Sequence, residues 1–225
     1  MLFRIAAMSQ PARIRILDAA ERLFARNGFE ATSLRAIIVE AQVNLASVHY
    51  YYRSKEGLIR AVIERRFAPI NQERLRLLEE CQKAPGDPPP SMEQILEAFL
   101  LPMVSVGMKK SRHNSSLMQL GGRILLESGS QFERIVEEQF REVARRFLQA
   151  FQRALPQLAS NEIAWRMNFT IGAAAKAMFG GIPMKVLSNV LHEGYEEVEV
   201  KQIAQRLISY AAAGMKAPSA AAMEY

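Results

Sequence analysis

The chain has 225 residues, enough for one domain or two small ones, and its 49% apolar and 23% charged content is that of a globular protein with a substantial core. One cysteine excludes an internal disulfide framework, and three scattered histidines lack zinc-site spacing, so neither a metal nor a cofactor is expected. Charge is uneven: residues 1–66 hold 11 basic and 6 acidic side chains, a net +5 out of +6 for the whole chain, which leaves +1 for the other 159 residues. A basic head on a near-neutral body points to a polyanion partner for the head alone.

The opening run MLFRIAAMSQ has too short an apolar stretch for a signal peptide, and no window of about 18 apolar residues could span a bilayer. A cytoplasmic protein with no membrane partner is expected. The first predicted helix covers about 12–27, with Leu17, Ala20, Leu23 and Phe24 as its core stripe. Gly28 ends it as a C′ glycine. Arg13 and Arg15 near its start are candidates for the DNA backbone or for plain solvent.

The stretch from Thr32 to Lys55 organises the chain. Leu34, Ile37, Ile38 and Ala41 recur at i, i+3, i+4 and i+7, one apolar face of a short helix, and Thr32 or Ser33 can cap its start. That helix runs out near Gln42 and Val43. Asn44 is the N-cap of a second short helix, from Leu45 to about Tyr51, anchored by Val43 and Val48. Two short helices joined by a three- or four-residue turn form a helix-turn-helix, whose second helix fits the DNA major groove. Small residues at its start permit close approach to base edges, and the hydroxyls and cations towards its end suit phosphate oxygens. Arg35, Leu45, Ala46, Ser47 and His49 are the predicted base readers. Ser33, Tyr50, Tyr51 and Lys55 are the predicted phosphate contacts, and Thr32 belongs to the same candidate DNA-binding set.

The residues that carry a family resemblance are now in place. They are Ile16–Glu21 with Leu23 and Phe24, the Asn27–Phe29 turn, Ala31–Arg35, the tyrosine run 50–52, and Ser54–Glu56. As a set covering about fifty residues, they resemble the DNA-binding head of the tetracycline-repressor (TetR) family of bacterial transcription regulators. Two departures stand out. Gln42 occupies a turn position where that family usually has glycine, so either Gln42 adopts a positive φ or the turn differs. His49 stands where tyrosine is common.

Ser54 is the predicted N-cap of a fourth helix, with Leu58, Val62, Ile63 and Phe67 as its stripe, interrupted at Pro69 and resuming through Leu75 and Leu78. Residues 83–90, rich in proline, form a loop. Ser91 and Gln94 form a capping box. Further helices are expected near 91–108, 115–128, 130–154, 159–180 and 197–213, with a frayed alanine-rich tail from Ala217. No alternating strand pattern occurs. The expected fold is therefore all-α, with an N-terminal three-helix helix-turn-helix DNA-binding domain at 1–53. A helical-bundle ligand-binding and dimerisation domain follows at 54–225.

Methionine and phenylalanine enrich the body. They are either the core of a bundle or the lining of an adaptable apolar cavity. Met103, Met118, Phe140, Phe147 and Phe169 are the candidate lining, with Arg123 for a ligand carboxylate or, more simply, paired to Glu127 at i+4. On 159–180 the stripe Ile163, Met167, Ile171, Ala174 and Met178 is the predicted dimer face, joined by Ile203, Leu207 and Ala211 of the last helix. No nucleophile elbow, P-loop or dinucleotide fingerprint occurs, and His113 and His192 fall in predicted loops, so no catalytic residue is assigned. The resemblance implies a homodimeric regulator, in the main a repressor. Double-stranded operator DNA would be its partner, and a hydrophobic effector, such as a fatty acid or acyl conjugate, would release it. A DNA-binding nucleoid or replication factor of the same fold, with no small ligand, is the alternative.

Overall fold

The computed structural model describes residues 11–82, 89–107, 112–127, 129–179, 189–190 and 199–219. The described elements are helices: α1 (Ala12–Asn27), α2 (Leu34–Ala41), α3 (Leu45–Tyr52), α4 (Lys55–Gln82), α5 (Met92–Gly107), α6 (Arg112–Leu126), α7 (Ser130–Ala154), α8 (Ser160–Phe179) and α9 (Val200–Lys216). Among the described residues no strand occurs, and no helix is long and apolar enough to cross a membrane.

By packing, the chain divides into two compact units, 1–69 with 111–140, and 70–110 with 141–225. The expected boundary at 53/54 is thus not where packing divides the chain. The first unit also takes the start of α4 and the whole of α6. In that unit α1 packs on α2, α3 and α6. Its core is Ile16, Ala20, Phe24, Phe29, Ile37, Val48, Leu58, Val62 and Ile63, all essentially closed to solvent. Glu21 is buried among them and ion-pairs with Arg65 and Arg66 of α4, while Asp18 also meets Arg65.

In the second unit α9 packs on α5 and α8. One cluster, including Leu78, Ile95, Leu96, Phe99, Val143, Phe147, Phe151, Ile163, Met167, Leu207 and Met215, forms the core. The capping box at the start of α5 is formed as expected: Gln94 Oε1 accepts from Ser91 N–H at 2.8 Å, and Ser91 Oγ accepts from Gln94 N–H at 3.2 Å. Helix α4 continues through Pro69.

Three expectations are corrected. His113 is not in a loop, because α6 begins at Arg112. The chain just after α9 is held: Arg166, 6% exposed, donates to the carbonyls of Met215, Ala217 and Pro218 at 2.7–2.9 Å and to Glu162 at 2.8 Å. The stripe predicted for a dimer face points inward. Ile163, Met167, Ala174, Leu207 and Ala211 are buried in the core of their own protomer, and Ile171 and Met178 pack against that core. Ile203 is half-buried. The outward face of α8 carries Trp165, 59% exposed, and Phe169, 65% exposed, with their rings 5.8 Å apart. His192, the loop residues 83–88 and the last residues of the tail, 220–225, lie outside the described residues.

Candidate nucleic-acid interface

The site is built from two caps and a turn. Ser33 Oγ accepts from Ala36 N–H at 3.1 Å and starts α2. Asn44 Oδ1 accepts from Ser47 N–H and from the Ser47 hydroxyl, both at 2.8 Å, and starts α3. Each cap satisfies a donor that the helix itself leaves unpaired. Between them Gln42 has φ 54° and ψ 52°, the left-handed conformation that glycine adopts freely. Of the two possibilities left by the sequence, glutamine therefore sits in the strained turn. Arg15 steadies it by donating to the carbonyls of Ala41 at 3.2 Å and Gln42 at 3.4 Å. This is a structural use for an arginine that the sequence left between DNA and solvent.

Val48 and Tyr52 face inward from α3. Tyr52 donates its hydroxyl to the Arg13 carbonyl at 2.8 Å, tying the end of α3 to the start of α1. Burial raises its phenol above the ordinary value, against the opposing pull of Arg13 and Arg65. The three tyrosines are therefore not equivalent. Tyr50, 73% exposed, and Tyr51 point outward with edge-to-face rings 4.9 Å apart.

The outward face of α3 includes Leu45, Ala46, His49 and Tyr50, at i, i+1, i+4 and i+5, and Arg53 is exposed just past its end. His49 Nδ1 lies 2.8 Å from the Arg53 carbonyl. A carbonyl only accepts, so Nδ1 carries a proton in this contact. Ser47 is half-buried, with its hydroxyl committed to the cap. Arg35 is exposed on α2 and bonds to no described residue. Lys55 Nζ donates to the Glu30 carbonyl at 2.7 Å, which holds the ammonium at the start of α4.

Thr32 is corrected. It is 1% exposed, and its hydroxyl donates to the carbonyls of Gly28 at 2.6 Å and Leu23 at 3.2 Å. It closes the turn after α1 and has no surface to offer a phosphate.

Three acidic side chains of this unit are occupied by arginines. Arg22 pairs with Glu40 at 3.0 Å, and Asp18 and Glu21 are taken by Arg65 and Arg66. What remains exposed in this unit includes Arg13, Arg35 and Arg53. A surface with that charge attracts a polyanion.

Arg123 of α6 and Glu127 just after it complete the unit. The Glu127 carboxylate accepts from Phe29 N–H at 2.9 and 3.1 Å, and Arg123 donates to the Arg26 carbonyl at 3.0 Å. The simple i+4 pair does not describe Arg123. Its guanidinium closes the last turn of α1. Among the other candidate lining residues, Met118 and Phe140 belong to this first unit, where the Phe140 ring lies 5.4 Å from Phe67. Met103 and Phe147 are buried in the second unit. Phe169 is corrected: it is on the surface of the second unit and lines no interior.

Three helices with a capped turn and an exposed, cation-flanked third helix define a helix-turn-helix protein. Residues 16–62 match the family described as bacterial regulatory proteins, tetR family, and residues 97–214 match the tetracyclin repressor-like C-terminal domain. The chain belongs to the TetR family of bacterial regulatory proteins.

Over 63 residues it is 36% identical to the HTH-type transcriptional regulator UidR of Escherichia coli (strain K12), a match covering 28% of this chain and 32% of UidR. Over 93 residues it is 31% identical to the nicotine-responsive repressor HdnoR of Paenarthrobacter nicotinovorans, covering 41% of this chain and 46% of that one. The match thus spans about a third to a half of these relatives. Similar solved folds include the SmeT–triclosan complex, with TM-score 0.59, 16% identity, and 96% and 99% of the two chains covered. Another is the fatty acid degradation regulator FadR of Bacillus halodurans, with TM-score 0.61, 11% identity, and 92% and 98% covered.

Proposed function

We propose that this protein binds operator DNA as a homodimer, represses transcription, and is released by a hydrophobic small molecule held in the second unit. The observation that carries the DNA reading is the outward face of α3, where Leu45, Ala46, His49 and Tyr50 are exposed, with Arg35 exposed on α2 and with Asp18, Glu21 and Glu40 already paired to arginines. In this reading Arg35, Leu45, Ala46 and His49 meet base edges. Ser33, Tyr50, Tyr51 and Lys55 hold phosphates, and Ser47 serves the cap more than the bases.

The dimer is reassigned to the outer faces of α8 and α9, where Trp165, Phe169 and Tyr210 are exposed large apolar side chains beside Gly172 and Gly214. Exposed aromatic surface of this kind marks an interaction site, and glycines allow close helix approach. Support for a hydrophobic effector comes from relatives named as nicotine-responsive or solved with triclosan. Support also comes from the apolar core that contains Phe99 and Phe147, and from Met103, buried in the same unit. Selecting bound sequences from a random duplex pool tests the DNA reading. Enrichment of a two-fold symmetric site is expected, and a pool that stays random after repeated rounds overturns it.

A further inference from the structure

Among the described residues, the buried charged side chains are Glu21, Arg74 and Arg166. Glu21 is paired with Arg65 and Arg66, and Arg166 with Glu162. Arg74 alone has no opposite charge. It projects from α4 into the second unit at 8% exposure. Its partners are all neutral: Nε donates to the Phe99 carbonyl at 2.8 Å and Nη1 to Asn71 Oδ1 at 3.2 Å. Its guanidinium lies over the Phe99 ring at 4.6 Å from the centroid. Nη2 finds no acceptor among the described residues.

A cation buried without an anion is expensive, and proteins rarely keep one without a use for it. Burial alone, with no neighbouring charge acting on it, pushes Arg74 down to about 10, so it remains protonated near neutral pH. Its surroundings are apolar. The Phe99 ring is 4.9 Å from Phe147, and Met103 follows Phe99 by one helical turn. Methionine repacks readily around a guest.

We infer that Arg74 receives the carboxylate of an apolar, singly charged effector, with Phe99, Met103 and Phe147 meeting its hydrocarbon part. A planar guanidinium with a free nitrogen matches a carboxylate in shape and charge. A phosphate dianion would need a second cation, and none acts on Arg74. This inference rests on reading the second unit as an effector-binding body, and it narrows the effector to an acid.

The test uses the full chain, with sodium octanoate and sodium dodecanoate as probes and their methyl esters as neutral controls. Calorimetry should show the acids binding about tenfold or more tightly than the esters, since one charge-assisted hydrogen bond is worth that much. Arg74→Met should erase the preference. The same variant should unfold, without ligand, at an equal or higher temperature, because it removes an uncompensated buried charge. Failure of both acids to bind, equal binding of acid and ester, or a preserved preference in Arg74→Met overturns the inference. So does Arg74→Met with a clearly lowered unfolding temperature and unchanged binding, which makes Arg74 a strut between α4 and α5. Operator release separates the two readings. Acids that bind through Arg74 yet leave operator affinity unchanged would sink the effector reading and keep the site, whereas esters that release DNA as well as acids would do the reverse.

Discussion

The Glu127 carboxylate sits on the backbone N–H of Phe29, with both oxygens within 3.1 Å. The residue just past α6 thereby holds the turn that follows α1, four residues before Ser33 caps α2. Gly28 beside this contact has φ 93°, a backbone conformation that L-residues rarely adopt, and a Cβ there would also push against Glu127 Oε1. Glu127→Ala should cost about 1–3 kcal/mol, the cost of leaving a buried N–H without its charged acceptor. Thermal unfolding of the full chain should drop by several degrees, and operator affinity should fall with it. An unchanged unfolding temperature would show that the contact contributes nothing.

Gln42 is an L-residue in a left-handed turn. Gln42→Gly should stabilise the protein by about 0.5–1 kcal/mol, since relief of backbone strain outweighs the added freedom of the unfolded chain. Urea unfolding checks this at constant m-value. A lower midpoint would show that the glutamine side chain itself supports the turn.

Tyr52 sets a pH limit. Its folded-state phenol is raised above the ordinary value, mainly by burial. The stability linked to it is therefore complete below about pH 10 and is lost as pH rises beyond that. Tyr52→Phe gives up the bond to the Arg13 carbonyl, at about 1 kcal/mol near neutral pH. It should also flatten the alkaline decline. Parallel curves for the two proteins between pH 9 and 11 would exclude Tyr52 as the cause.

Lys55→Ala should weaken binding to every DNA sequence and reduce the salt dependence by roughly one unit of log–log slope. Arg35→Ala should instead relax preference at one operator position, by about 1–3 kcal/mol. Fluorescence anisotropy on selected and scrambled duplexes at several salt concentrations distinguishes them. Equal losses of Arg35→Ala on both duplexes would remove Arg35 from base readout.

At the reassigned interface, Trp165→Asp or Phe169→Asp places a charge on an exposed position and should convert a dimer to a monomer that keeps its helical content. Ala174→Arg, in the protomer core, should lower the unfolding temperature instead of simply splitting the dimer. Native mass spectrometry and circular dichroism decide between them. A wild-type monomer, or aspartate variants that remain dimeric, would mean that these faces do not pair.

The sequence by itself determined whatever depends on neighbours a few residues apart. The cap at Asn44, a hydroxyl cap at Thr32 or Ser33, the capping box at Ser91, the range of α1, the left-handed option at Gln42 and the exposed face of α3 all follow from local hydrogen bonds and helical period. Tertiary structure decided what depends on a partner far along the chain. Thr32 carries the same hydroxyl as a phosphate contact, and only the approach of the Leu23 and Gly28 carbonyls makes it a closed turn residue. Arg123 lies 97 residues from Arg26, a separation that no spacing rule spans. Helix α8 has apolar side chains on two faces, Ile163 and Met167 on one and Trp165 and Phe169 on the other. Periodicity therefore could not say which faced inward, and packing against α9 chose. Arg74 shows the same limit, since a charge reads as surface until the fold closes Phe99 and Asn71 around it.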